Sequence, residues 1–466
     1  MVLGCCVLQL ERFGFRAHPP VETMQTGPRS EKQMSTSEEE TRKSARMLFG
    51  TTIAGTTVRF VLEQARFVAS EDWEVHLVCS PTAGVDVLRS TSEVVLHEVH
   101  MTRRITPLQD LRSLAHLLLM TRQIRPDVVV YGTPKAGLLG LLASAFVRTP
   151  IRVYVLHGLR GEGLQGVKRF TVLLMERIAC KSATHIISVS PSLKRRFVEL
   201  SLCPSRKIVV LGSGSFDGVN VDLFHPPTDQ ERAEARSRWG FQDNEVVIGF
   251  VGRMVLDKGV LDLIQAIELL VSEVPVRVML IGREDDPESS EILRSRIAQS
   301  DGRIVRVDYM ASPLIGYWAM DIFVLPSHRE GLGQVALEAS ATGLPVVTTT
   351  ATGCQDATLH GVTGLLVEPQ DPPMLQQALL SLIENEALRQ TMGANGREWV
   401  VRNFESSQVR RRMIDFLLTA SRDEGRIANV EPSKLGLDDL GPSRMRVQNR
   451  LSSCARMWSS NDKSSR

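Results

Sequence analysis

Between residues 45 and 420, short β-branched runs alternate with longer stretches whose apolar residues recur at helical spacing, the pattern of repeated strand–helix–strand units around parallel sheets. Strands are predicted at 47–51, 74–79, 127–131, 152–156, 185–189 and 207–211, and again at 246–251, 277–281, 304–307, 322–325, 345–349 and 364–367. Each set would close one doubly wound α/β domain of ordinary size. The predicted domains are 45–226 and 227–420, joined by Phe224-His225-Pro226-Pro227-Thr228-Asp229. Residues 1–44 and 421–466 are rich in Ser, Arg and acidic side chains without periodicity and are expected to be disordered tails. Ligands of two such domains would gather at the carboxyl ends of the strands.

Composition narrows the picture. At 466 residues the chain is too long for one ordinary core, and its longest near-continuous apolar run, 136–147, is too short to span a bilayer. Seven scattered cysteines, with no C-x-x-C pair, argue for a reduced, cytosolic compartment and against a disulfide frame or a zinc site. The first ten residues are apolar but lack the flanks of a signal peptide. The net charge of +2 conceals an asymmetry: residues 46–226 carry 22 basic against 14 acidic side chains, and residues 227–420 carry 18 against 27. A basic first half suits an anionic partner. With aromatic residues at 5% and no recognisable binding module, nucleic acid is not the expected one.

The most informative stretch is Asp321-Ile-Phe-Val-Leu-Pro-Ser-His-Arg-Glu330-Gly-Leu-Gly-Gln-Val-Ala-Leu-Glu338. A buried strand ends at Pro326, a glycine-bearing loop follows, and a helix begins near Gly333. The free amides of Gly331, Leu332, Gly333, Gln334 and Val335, at the positive end of that helix, can hold a phosphate or hydroxyls. Glu330 and Glu338 both lean toward the same place. Two carboxylates beside a phosphate-binding helix end suit a ligand that also offers hydroxyl donors, which points to a sugar nucleotide.

The E-x7-E spacing, its flanking glycines and the trailing Ala341-Thr342-Gly343-Leu344-Pro345-Val346-Val347 resemble the retaining family-4 glycosyltransferases that build bacterial polysaccharides and lipid-linked glycans. The resemblance covers about 47–420 and implies the GT-B fold, two Rossmann-like domains facing across a cleft. It gives Glu330 the sugar hydroxyls and Glu338 the ribose. In Phe250-Val-Gly252-Arg253-Met-Val-Leu-Asp-Lys258-Gly259 it puts Gly252, Arg253 and Lys258 at the donor diphosphate, where two cations would stabilise the leaving group without a metal. In Leu156-His157-Gly158-Leu159-Arg160 it puts His157 beside the reacting sugar carbon and Arg160 on the acceptor side. Gly55 would lie in a loop between donor and acceptor, Gly282 and Arg283 would bracket the base with Tyr309 and Met310 nearby, and Thr133 and Lys135 would meet the acceptor.

The expected activity is retaining, metal-independent transfer of a hexose or N-acetylhexosamine from a nucleotide diphosphate sugar, expected to be UDP-linked, to a glycan or lipid-diphosphate acceptor, with no cofactor. Two rivals stay open: a GT-B-fold epimerase acting on the same donor, and a non-catalytic sugar-nucleotide-binding module. Basic and apolar residues mix at 167–177 and 193–197, which would let the first domain contact an anionic inner leaflet.

Overall fold

The computed structural model describes residues 45–423 apart from 272, 273, 286 and 311. Seven strands form the first sheet: β1 (Arg46–Ile53), β2 (Glu74–Ser80), β3 (Val95–Glu98), β4 (Val128–Tyr131), β5 (Ile151–Leu156), β6 (His185–Ser188) and β7 (Ile208–Val209). Six form the second: β8 (Val246–Val251), β9 (Val276–Ile281), β10 (Ile304–Val307), β11 (Ile322–Leu325), β12 (Val346–Thr349) and β13 (Gly364–Val367). The orders are β3-β2-β1-β4-β5-β6-β7 and β10-β9-β8-β11-β12-β13, every pairing parallel. Both lobes are therefore doubly wound, with topological switch points at β1/β4 and β8/β11, where strand ends open toward a ligand. The central strands are buried along almost their whole length, which is why they read as unbroken apolar runs.

Two elements depart from the predicted pattern. β3 was not predicted: it is a four-residue edge strand with no buried residue, although the run Val94-Val95-Leu96 lies at its start. β1 runs on to Ile53 and passes directly into the helix Ala54–Phe60.

The chain crosses between lobes twice. The first crossing ends at Thr228, whose hydroxyl caps the helix Asp229–Arg238 in a capping box with Glu231. The second lies at Phe404–Ser406, where Val219 N donates to Phe404 O at 2.7 Å and Ser406 N donates to Val219 O at 3.0 Å. The following helix, Ser406–Asp423, packs on the first lobe: Arg411 pairs with Glu71 at 2.8 Å, Arg410 pairs with Asp217 at 3.0 Å, and the Phe416 ring meets His185 edge-on. By packing, this helix belongs with the first lobe although its sequence follows the second, and it continues past Ala420. The predicted tail 1–44, and the part of the other beyond Asp423, lie outside the described residues.

The lobes are also tied near the cleft floor. Ser192 N donates to Asp356 Oδ2 at 2.9 Å, Gly353 N to Ser192 Oγ at 2.8 Å, and Thr352 Oγ1 to Glu162 Oε1 at 3.1 Å. Among the described residues no helix is long and apolar enough to cross a membrane. The four described cysteines, Cys79, Cys180, Cys203 and Cys354, are free and buried.

Candidate active site

At the carboxyl end of β11 the backbone turns through Ser327 to Glu330 and enters the helix Gln334–Ala341 by way of Gly333, whose φ of +72° only glycine adopts without strain. Gly331 is fixed by close approach: a Cβ there would stand 2.1 Å from the His157 carbonyl oxygen of the other lobe. Opposite, Lys258 closes the short turn Leu256–Lys258, and Gly259 (φ +67°) lies so close to Pro326 that a Cβ would fall 1.9 Å from its carbonyl oxygen. These two packed turns bring Lys258 Nζ onto Glu330 Oε1, which also accepts from Ser327 Oγ at 2.9 Å. One cation and one carboxylate assigned to different parts of a donor thus form an ion pair, both largely shielded from water.

Around this pair the cleft encloses a cavity of about 400 Å³. The second lobe contributes Arg253, Lys258, Glu330 and Gly331–Gln334; the first contributes Thr133, His157, Arg160 and Phe216. Arg253 stands at the rim, 60% exposed and 3.8 Å from Asp285. Thr133 Oγ1 accepts from Thr52 N at 2.9 Å, which fixes it at the start of the helix Pro134–Val147. His157 lies edge-on to Phe216, ring centroids 5.3 Å apart, and a Cβ on Gly132 would touch its Nε2 at 2.6 Å. Burial without a charged neighbour pushes the His157 pKa down to about 4, so the imidazole is neutral at physiological pH. An NMR titration is expected to show no protonation of His157 above about pH 5; a midpoint near 6.5 would contradict this environment.

Glu338 lies on the helix Gln334–Ala341, buried, and Tyr317 Oη donates to its Oε2 at 3.1 Å. Burial raises its pKa to about 7, against the opposing pull of Arg59 and the Tyr317 hydrogen bond. Arg59 is the residue sequence reasoning missed. It is exposed on the helix Ala54–Phe60 of the first lobe, yet its charge bears on Glu338 and Tyr317 of the second. Its only signal in the sequence is a lone cation just after the first strand.

The residues expected at the base form a separate cluster. Gly282 (φ +148°) presses on the Gly252 carbonyl, Met254 N donates to Arg283 O at 2.8 Å, and the Arg283 guanidinium stacks 4.2 Å from the centre of the half-exposed Tyr309 ring. Met310 packs against the core of this lobe. None of these lines the cavity beside Lys258; they lie at the ends of β9 and β10. Val335 also stays off that lining, its carbonyl accepting from Tyr317 Oη at 3.3 Å.

Two expectations do not hold. Lys135 does not face an acceptor: it is buried, and its Nζ bonds Asp110 Oδ1 at 2.6 Å, Thr102 Oγ1 at 3.2 Å and the Arg104 carbonyl. With Thr106 Oγ1 at 3.4 Å as a fourth acceptor, the ammonium has no donor left, and its work is to pin residues 102–110 onto the helix behind it. Lys135→Met is therefore expected to cost ~3 kcal/mol of stability, the scale for stranding one member of a buried pair, while the acceptor KM stays unchanged; thermal unfolding and steady-state kinetics check the two arms. Gly55 is not in a loop at the cavity either. Because β1 passes straight into a helix, Gly55 faces the turn at Ala83 and Gly84, and Thr51, Thr56 and Phe60 line the cavity instead.

Residues 55–214 match the family model described as glycosyl transferase 4-like domain, and residues 245–385 match that of glycosyl transferases group 1. The chain is 37% identical over 347 residues to the capsular polysaccharide biosynthesis glycosyltransferase CapM of Staphylococcus aureus, across 74% of this chain and 90% of CapM. The chain belongs to the family-4 glycosyltransferases of the GT-B fold. A second relative in this family is an Escherichia coli UDP-Gal:alpha-D-GlcNAc-diphosphoundecaprenol alpha-1,3-galactosyltransferase, 24% identical over 74% of this chain and 89% of that protein. Among solved structures, Anabaena HepE in complex with UDP and glucose superposes with a TM-score of 0.69 at 20% identity, over 80% of this chain and all of HepE. The GT-B lobes, and the cavity between them, are thus the frame of a glycosyltransferase.

Proposed function

We propose that this glycosyltransferase moves a hexose or N-acetylhexosamine from a UDP-linked donor to a lipid-linked glycan acceptor, with retention of configuration and without a metal ion, in the assembly of a cell-surface polysaccharide. The observation that carries the reading is the Lys258–Glu330 pair at the mouth of a helix, inside a cavity that both lobes line. The activities named for the staphylococcal and Escherichia coli relatives support the pathway and a lipid-diphosphate acceptor, and the UDP bound to HepE supports the nucleotide.

In this reading Lys258 and Arg253 take the diphosphate, together with the amides from Gly331 to Gln334. Glu330 turns to the sugar hydroxyls, Glu338 takes the ribose, and Arg283 with Tyr309 meets the base. His157, neutral, hydrogen-bonds the sugar near its reacting carbon. Thr133 and Arg160 face the acceptor. Retention follows a front-face route. The acceptor oxygen attacks the anomeric carbon, the bond to the β-phosphate oxygen breaks, and that departing oxygen takes the acceptor's proton. A double displacement would need a free carboxylate beneath the sugar. The acidic side chains lining the cavity, Asp217, Asp257 and Glu330, are paired with Arg410, Arg329 and Lys258.

A nucleotide-release screen over UDP-, GDP- and ADP-sugars, with and without membrane extract as acceptor, tests the reading. UDP release that requires acceptor is expected. An altered sugar nucleotide formed without acceptor would identify an epimerase, and binding with no turnover a non-catalytic module.

A further inference from the structure

Single exposed apolar residues are ordinary on any protein surface, but those of the first lobe are gathered. The helix Gly166–Ser182 buries only Glu176, Ala179 and Cys180, and leaves Val167, Phe170, Leu174 and Ile178 in solvent, Val167 at 81% and Phe170 at 68%. Steps of three, four and four residues put these four within an arc of about 80° on the helix surface. The helix Pro134–Val147 packs between this helix and Pro107–Ile124. The latter exposes Leu108, at 81%, and Leu111, with Ile105 exposed just before its first turn. Both outer helices follow strands of a parallel sheet and so begin at its carboxyl edge, where the cavity opens.

The charges on these stretches are one-sided. Arg103, Arg104, Arg112, Lys168, Arg177 and Lys181 are exposed. Every acid of 103–112 and 160–182 is already engaged: Asp110 by Lys135, Glu162 by Arg196 at 2.7 Å, and Glu176, buried, by Tyr154 at 2.8 Å. What faces outward is apolar surface flanked by cations alone. A second copy of the chain docking here would bring like charges together.

We infer that this face seats the enzyme on an anionic bilayer, with the two apolar rows at the boundary between headgroups and acyl chains and the flanking cations on the lipid phosphates. This deepens the proposed function and rests on its lipid-linked acceptor, since it turns the mouth of the cavity toward the lipid surface. The second basic stretch, the helix Pro191–Glu199, takes no part: its Leu193 and Phe197 are fully buried, so it presents cations without an apolar row.

The test uses the full chain and sedimentation with phosphatidylcholine vesicles with or without phosphatidylglycerol. Binding is expected to the anionic vesicles and not to the neutral ones. It should weaken about tenfold in Phe170→Glu/Leu174→Glu, and severalfold in Arg103→Ser/Arg104→Ser with a shallower salt dependence. All variants should unfold at the parent's temperature, because the altered side chains are exposed. Equal binding by Phe170→Glu/Leu174→Glu, equal binding to neutral vesicles, or self-association of the parent abolished by the same changes would overturn the inference. Vesicle binding is read without donor. A parent that binds vesicles but no nucleoside diphosphate would sink the donor reading and still support the docking.

Discussion

Lys258→Met and Glu330→Gln are each expected to lower turnover by about 10²–10³-fold, the range seen when one preorganised electrostatic partner of a transition state is removed. The cause is specific to the geometry. Lys258 and Glu330 are 18% and 14% exposed and already paired, so little reorganisation separates the resting site from one in which the ammonium meets the diphosphate and the carboxylate meets the sugar. Losing either leaves its partner uncompensated in a partly shielded site, which costs some stability as well. Circular dichroism and thermal unfolding should therefore accompany the kinetics, and both variants should stay folded at assay temperature. The double variant should lose much less than the product of the two single losses, because the residues act as one unit. Unchanged rates with a verified acceptor would remove both roles.

The fold was legible because buried parallel strands write themselves as β-branched runs, and all but one of the thirteen strands were read from that mark. β3 was passed over although Val94, Val95 and Leu96 mark its start, because it is an edge strand only four residues long that ends in polar His97 and Glu98. The site was legible where a motif is local. The turn that carries Glu330 and the glycine that seats Lys258 lie within a few residues of the side chains they position, and the glycines reveal close approaches that only a small residue permits. It was illegible where the partner is distant. Lys135 sits in a segment that suggests an acceptor site, but Asp110, 25 residues upstream, claims its charge. The charge of Arg59 favours the ionised form of Glu338, almost 280 positions away in the sequence, a relation no local pattern reports. The burial of Glu338 did have a signal. Its helix carries Ala336, Leu337, Ala339 and Ala341 on every side, and a helix apolar all round is an interior one.

That buried carboxyl yields the second large expectation. Folded Glu338 holds its proton to about pH 7, whereas the unfolded chain releases it near 4.5. Between those values the native state binds more protons than the unfolded one, so its contribution to stability is complete below pH 4.5 and is lost as pH rises through 7. At pH 8 the penalty approaches ~3 kcal/mol. Glu176, raised to about 7 by burial beneath Tyr154, adds in the same direction. Glu338→Gln should thus be more stable than the parent at pH 8 and less dependent on pH, because the amide oxygen can still accept from Tyr317. The same change should weaken donor binding about tenfold or more, through loss of a charged hydrogen bond to the ribose. Ribose hydroxyls favour the ionised carboxylate, so donor binding to the parent should tighten as pH rises through 7 and release a proton, measurable by calorimetry at pH 6.5 in two buffers of different ionisation enthalpy. Proton release that persists in Glu338→Gln would belong to Glu176 instead, and a parental donor Kd in that variant would remove Glu338 from the ribose.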